Sequence, residues 1–318
     1  MTIKSFRESI NEAIRLEMKK DENVILMGED VAGGAGTNGE QDAWGGPLGV
    51  TKGLLAEFGR KRIIDTPITE TAMLGMASGA ALTGLRPIAE LMFIDFMGVC
   101  FDQILNQTAK FRYMFGGKAI TPITIRSMYG GGLRAASQHS QCLYPIFTHV
   151  PGLKVVIPSC PYDAKGLLIQ SIRDNDPVIF LEHKNMYDIT QDVPDESYTV
   201  PFGEANFTRE GKDITFIGMG ATVALCNNVS DKLKKDNISS TVLDLRTLSP
   251  LDEDSILEAS EETGRIVIVD ESSPRCNIAT DISALICEKS FSYLKGPIKM
   301  VSPPHTPCLL YTSDAADE

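Results

Sequence analysis

Short apolar runs alternate with helix-length segments from one end of the chain to the other, and this alternation constrains the fold more than any single motif does. Strand candidates fall at 24–27, 62–64, 86–91, 123–126, 154–157, 178–181, 213–217, 240–244 and 265–270. Helices are expected near 5–19, 70–83, 98–114, 162–174, 221–235, 252–262 and 278–293. A strand that is followed by a helix and then another strand calls for a crossover connection, so the pattern implies βαβ units and mostly parallel sheets. Start signals agree: Ser159 and Pro161 precede one helical pattern, and Ser249-Pro250 precedes Asp252-Glu253. Periodicity fails at 186–206, which holds two prolines and clustered acids. The fold class is therefore α/β in two domains, the first over 1–190 and the second over 205–307.

With 318 residues, 43% of them hydrophobic, the chain can bury a core without metal or disulfide staples. Its 30 Lys and Arg against 42 Asp and Glu give a net charge of −12, which disfavours nucleic acid and anionic membrane surfaces as partners. The amphipathic start, with Ile10, Ala13, Ile14 and Met18 on one face, does not read as a signal peptide. Nor does any run of about 18 uncharged apolar residues occur, so a cytoplasmic protein is expected. Seven scattered cysteines without a C-x-x-C read as buried free thiols of a reducing compartment. Four histidines with no H-x-x-x-H spacing give no transition-metal signal.

Three motifs carry possible chemistry. Gly34-Ala35-Gly36-Thr37-Asn38-Gly39 fits G-x-G-x-x-G, but the following residues, through Gly45-Gly46-Pro47, cannot open the helix a dinucleotide site needs. It reads better as a surface loop. His139 and Ser140 follow the glycines 130–132, and the histidine is either a solvent-facing loop residue or a ligand-facing one. Glu70 opens a helical stretch of small residues that holds no charged residue from 71 to 85. The helix dipole accounts for an acid there. It does not account for the uncharged helix behind it, which suits close packing against another helix or subunit and would leave Glu70 desolvated.

Over residues 1–307 the ordered blocks "GEDV", "RIIDTPITE", "GLRPIAELMFIDF", "QHSQ", "HVPGLKVVIPS" and "DLRTLSPLDEDSI" resemble the β subunits of thiamine-diphosphate-dependent 2-oxoacid dehydrogenases. The stretches around 28–54 and 110–119 resemble the acetoin-cleaving members most. The resemblance implies two transketolase-like domains, pyrimidine-binding and C-terminal. It implies that Glu70 hydrogen-bonds N1′ of the cofactor's aminopyrimidine and so promotes removal of the thiazolium C2 proton. Glu29 would be a second acid near the pyrimidine, Met92 and Phe96 would line the ring, and His139 would assist intermediates and transfer to a lipoyl group. Ile123, Ser171, Ile172, Asp174 and Asp176 match a potassium site of some relatives, although a capped helix end explains the same residues. No Gly-Asp-Gly occurs, so Mg²⁺ and the diphosphate are expected on an α subunit, giving an α2β2 heterotetramer that serves a lipoyl-bearing E2 acyltransferase. The small-molecule substrate would be acetoin, with pyruvate or a branched-chain 2-oxoacid as alternatives. A non-catalytic scaffold chain of the same fold and a dinucleotide oxidoreductase are the rivals of other classes. Residues 308–318 match nothing in the family and are expected to be a truncated or foreign-joined tail.

Overall fold

A computed structural model describes residues 2–32 and 45–307; the motif at 34–39 and the tail at 308–318 lie outside the described residues. The first half contains β1 (Thr2–Ser5), α1 (Phe6–Lys20), β2 (Val24–Gly28), α2 (Leu54–Phe58), β3 (Ile63–Asp65), α3 (Glu70–Leu82) and β4 (Arg86–Phe93). It continues through α4 (Phe111–Met114), β5 (Thr124–Tyr129), α5 (Tyr144–Thr148), β6 (Lys154–Val156), α6 (Pro161–Arg173), β7 (Val178–His183) and β8 (Thr190–Val193). The second half has β9 (Asn206–Arg209), β10 (Ile214–Gly218), α7 (Ala221–Leu233), β11 (Ser240–Asp244), β12 (Thr247–Ser249), α8 (Glu253–Thr263), β13 (Ile266–Val269), α9 (Ile278–Lys289) and β14 (Lys299–Val301).

A seven-stranded sheet runs β12-β6-β7-β5-β4-β2-β3, and a five-stranded sheet runs β14-β13-β10-β11-β9. Within them only β12 and β9 pair antiparallel, so the expectation of an α/β fold with mostly parallel sheets is met. Strands β2, β5 and β7 are buried along their whole length, as parallel strands covered on both faces must be. Helix α1 begins with a capping box in which Ser5 Oγ accepts from the Glu8 amide and Glu8 accepts from the Ser5 amide. It buries the expected Ile10, Ala13, Ile14 and Met18 and lies along α6.

Several local expectations change. The helix at 98–114 is instead a 3₁₀ turn at Ile94–Gly98, a π-helical turn at Gln103–Thr108 and the short α4. Thr108 Oγ1 donates to the Gln103 carbonyl and meets Ser78 Oγ of α3 at 2.5 Å, so side-chain contacts within and beyond the segment accompany its wider turn. Residues 190–193, in the stretch where periodicity fails, form β8 and pair with β1. Strand β12 crosses from the second half to extend the first sheet beside β6. Arg246, just before it, bonds Asp163 at 2.8 Å. The thiols are also not uniformly buried, since Cys276 and Cys287 are exposed.

Candidate active site

From β2 the chain goes out to β3 at the sheet edge, then returns to β4 on the other side of β2. Such a reversal opens a crevice at the carboxyl ends of parallel strands. Glu29 directly follows β2, Glu70 opens α3 after β3, Met92 and Phe96 flank the end of β4, and His139 lies on the loop after β5. The topology thus brings all five to the same end of the sheet.

Glu70 is 8% exposed, and among the described residues its carboxylate makes no hydrogen bond or ion pair. It begins a 13-residue helix whose N-cap, Thr69, offers no side-chain cap, so the helix dipole is the chain's visible support for its charge. Glu29 is equally buried, and burial, then Glu70, Asp30 and Glu90, push its carboxyl up to about 6. Behind this pair, Arg126 bonds Glu90 at 2.7 Å and Glu182 at 2.6 Å, while Tyr187 donates to Glu182 at 2.8 Å. Burial pushes the Glu90 carboxyl up, and Arg126 opposes the shift. A cavity of about 10 Å³ touches Glu90, Met92, Arg126, Glu182 and Tyr187, space for about one water. Motif reading missed this network. Its signal was present in single charges inside otherwise apolar strands, which a buried sheet tolerates only when they are paired.

His139 ends a 3₁₀ turn, its imidazole packed edge-on against Phe93 at 4.8 Å and Phe96 at 5.4 Å. The solvent-facing alternative is therefore replaced by an aromatic clamp, in which Nδ1 is buried without a partner. Asp95 fixes the loop by accepting from the amide and side chain of Gln141, at 3.2 and 2.8 Å. Lys184, 4% exposed, holds its ammonium 4.9 Å from the Phe93 ring centroid, and burial pushes its pKa down.

The residues matched to a potassium site do lie together, at the end of α6, but their oxygens are already engaged. Arg86 donates to the carbonyls of Ile172 and Asp174, Lys154 and Arg112 bind Asp174 and Asp176, Ile123 O accepts from Val178, and Ser171 Oγ bonds Leu167 O. Three cationic side chains, Arg86, Arg112 and Lys154, thus bond oxygens of this segment. Helix α3 is buried along one face only in the single chain. Met73, Leu74, Ala77 and Ala81 face the core, whereas Met76 is 49% and Leu82 37% exposed.

Residues 4–190 match the transketolase pyrimidine binding domain. Residues 203–316 match the transketolase C-terminal domain, a match that runs into the tail beyond 307. The acetoin:2,6-dichlorophenolindophenol oxidoreductase subunit beta of Cupriavidus necator is 62% identical over 303 residues, covering 95% of this chain and 89% of the relative. Its Bacillus subtilis namesake is 58% identical with the same coverage, and the pyruvate dehydrogenase E1 component subunit beta of Bacillus subtilis is 44% identical over 94% of this chain and 89% of its own. Among solved structures, a split gene transketolase described as an inactive beta4 tetramer superimposes with a TM-score of 0.77, covering 98% of this chain and 92% of that one. At 18% identity that likeness shows the fold alone.

Proposed function

The chain belongs to the family of transketolase-type β subunits that includes the acetoin:2,6-dichlorophenolindophenol oxidoreductase and pyruvate dehydrogenase E1 β chains, and we propose that it supplies the pyrimidine side of an acetoin-cleaving, thiamine-diphosphate-dependent site. The observation that carries this reading is Glu70, a nine-tenths-buried carboxylate with no partner of its own among the described residues, at the carboxyl end of the parallel strands. An ionised acid left so is costly unless a ligand hydrogen-bonds it, and an aminopyrimidine nitrogen meets that need. Bound there, thiamine diphosphate would supply the carbon nucleophile for attack on the substrate carbonyl.

This chain's residues do the rest. Glu70 holds and returns a proton at N1′ of the pyrimidine. Glu29, its carboxyl raised to about 6, stands beside it as a group that changes charge near neutrality. Met92 and Phe96, both partly buried, give the ring an apolar wall. His139, held between two aromatic rings, is placed to hold or move a proton on the substrate side and to assist transfer to a lipoyl acceptor on an E2 chain. Mg²⁺ and the diphosphate fall to an α partner carrying G-D-G…N, in an α2β2 assembly. Acetoin is favoured over pyruvate because identity is 62% and 58% to the acetoin chains against 44% to the pyruvate chain.

Glu70→Gln tests the reading. The amide keeps the size of the side chain but cannot exchange the proton, so acetoin turnover of the reconstituted assembly should fall by about 10²–10⁴-fold with assembly intact. Wild-type turnover in that variant would remove Glu70 from the chemistry.

A further inference from the structure

His139 has no hydrogen bond from its imidazole among the described residues, so its placement depends on the Phe93 and Phe96 rings and on the loop that carries it. That loop is a strained one. Gly130, Gly132, Arg134 and Ala136 all take positive φ, at 89°, 108°, 51° and 64°. Arg134 and Ala136 pay for this region sterically, and such backbone persists only where its surroundings over-determine it.

The surroundings here include the second domain. The Gly131 amide donates to Glu271 Oε1 at 3.0 Å, across the domain boundary. Glu271 also bonds His183 Nε2 at 2.9 Å. The Asn185 amide donates to His183 Nδ1 at 3.2 Å, which puts the ring proton on Nε2, facing the carboxylate. Between these groups the loop root is pressed flat. A Cβ on Gly130 would stand 2.3 Å from His183 Nε2, and one on Gly132 would stand 1.9 Å from the Asn185 side chain. The neighbouring acid, Asp270, takes the hydroxyl of Tyr144 at 2.5 Å, at the far end of the same segment. Two consecutive acids of the β13–α9 connection therefore hold both ends of residues 130–144.

We infer that Glu271 is a positioning residue for His139: the second domain sets the histidine in place through the Gly131 amide and His183. The latch is a matter of structure; its kinetic consequence rests on the proposed function above.

The test uses the full chain assembled with an α partner, as Glu271→Ala and Glu271→Gln, each with His139 present or replaced by Ala. Amides of 130–142 should exchange with deuterium about 10-fold faster in Glu271→Ala, while Glu271→Gln, whose single amide oxygen can still accept from the Gly131 amide, lies between Glu271→Ala and wild type. Acetoin turnover should fall about 10-fold in Glu271→Ala, recover to within about 3-fold in Glu271→Gln, and show no further loss from Glu271→Ala once His139 is Ala. Should Glu271→Ala fail to fold, Glu271→Asp, which withdraws the carboxylate by one methylene, takes its place. Unchanged exchange, or an equal loss with and without His139, overturns the inference. An assembly that does not turn over acetoin at all counts against the proposed function, and the exchange measurement then decides the latch by itself.

Discussion

At the scale of single residues, the acids beside the crevice make an opposed pair. Glu29 titrates near 6 in the folded chain against an ordinary 4.5. Below pH about 4.5 it holds its proton folded and unfolded alike; above about 6 it is ionised in both, and the folded state carries the full penalty of burial beside Glu70. Stability from this group therefore falls as pH rises through that window, by about 2 kcal/mol at most. Glu29→Gln should then be more stable than wild type by about 1–2 kcal/mol at pH 7.5 and nearly equal to it at pH 4.5. Urea unfolding of the isolated chain at the two pH values checks this, and a gap that does not widen with pH would refute it. Glu70, the small-residue helix and His139 could be picked out in the sequence because each breaks a local rule. The aromatic clamp could not, since Phe93 and His139 stand 46 positions apart and meet only through the sheet. Glu271 was equally hidden, in the other domain and 132 positions from His139.

At the scale of elements, periodicity located the interior strands and the longer helices, because burial on both faces leaves long apolar runs. It missed β1, β8, β9, β12 and β14, which are three or four residues each and lie at sheet edges or in the small two-stranded sheet. Such strands are specified by pairing rather than by pattern. Helix α3 shows the limit differently: its composition suggested close packing against another helix or a subunit, and in the single chain one face packs on the core while the other meets solvent. A Cβ on Gly79 would touch nothing within 4 Å. Gly79→Leu should therefore stabilise the isolated chain by about 0.5–1 kcal/mol through helix propensity. If that face is covered by the α partner, the same substitution should weaken assembly at least about tenfold through overlap in a close-packed contact. Thermal unfolding reads the first effect and titration with the α chain the second; unweakened assembly would free α3 from the interface.

At the scale of the whole molecule, two domains share one set of ties. Strand β12 completes the far edge of the first sheet, Arg246 bonds Asp163, and Glu271 bonds the root of the loop that carries His139, so the second domain meets the first both at that edge and beside the candidate site. What the crevice offers a ligand is nonetheless one-sided: two buried acids, an aromatic wall and a histidine, with Arg126 already bound between Glu90 and Glu182. Diphosphate is strongly anionic, and a chain of net charge −12 whose described residues contain no cluster of three metal-ligating side chains gives it little compensation. The isolated chain should accordingly show no Mg²⁺-dependent thiamine diphosphate binding in the micromolar range. An α chain with G-D-G…N should create the site, and because cofactor and partner would then favour the same state, each should raise the apparent affinity of the other by the same factor. Calorimetry separates the cases. Cofactor binding to β alone that does not change when α is added would mean the site is not shared; binding that appears only with α, and reciprocal tightening of α to β in its presence, is the expected result.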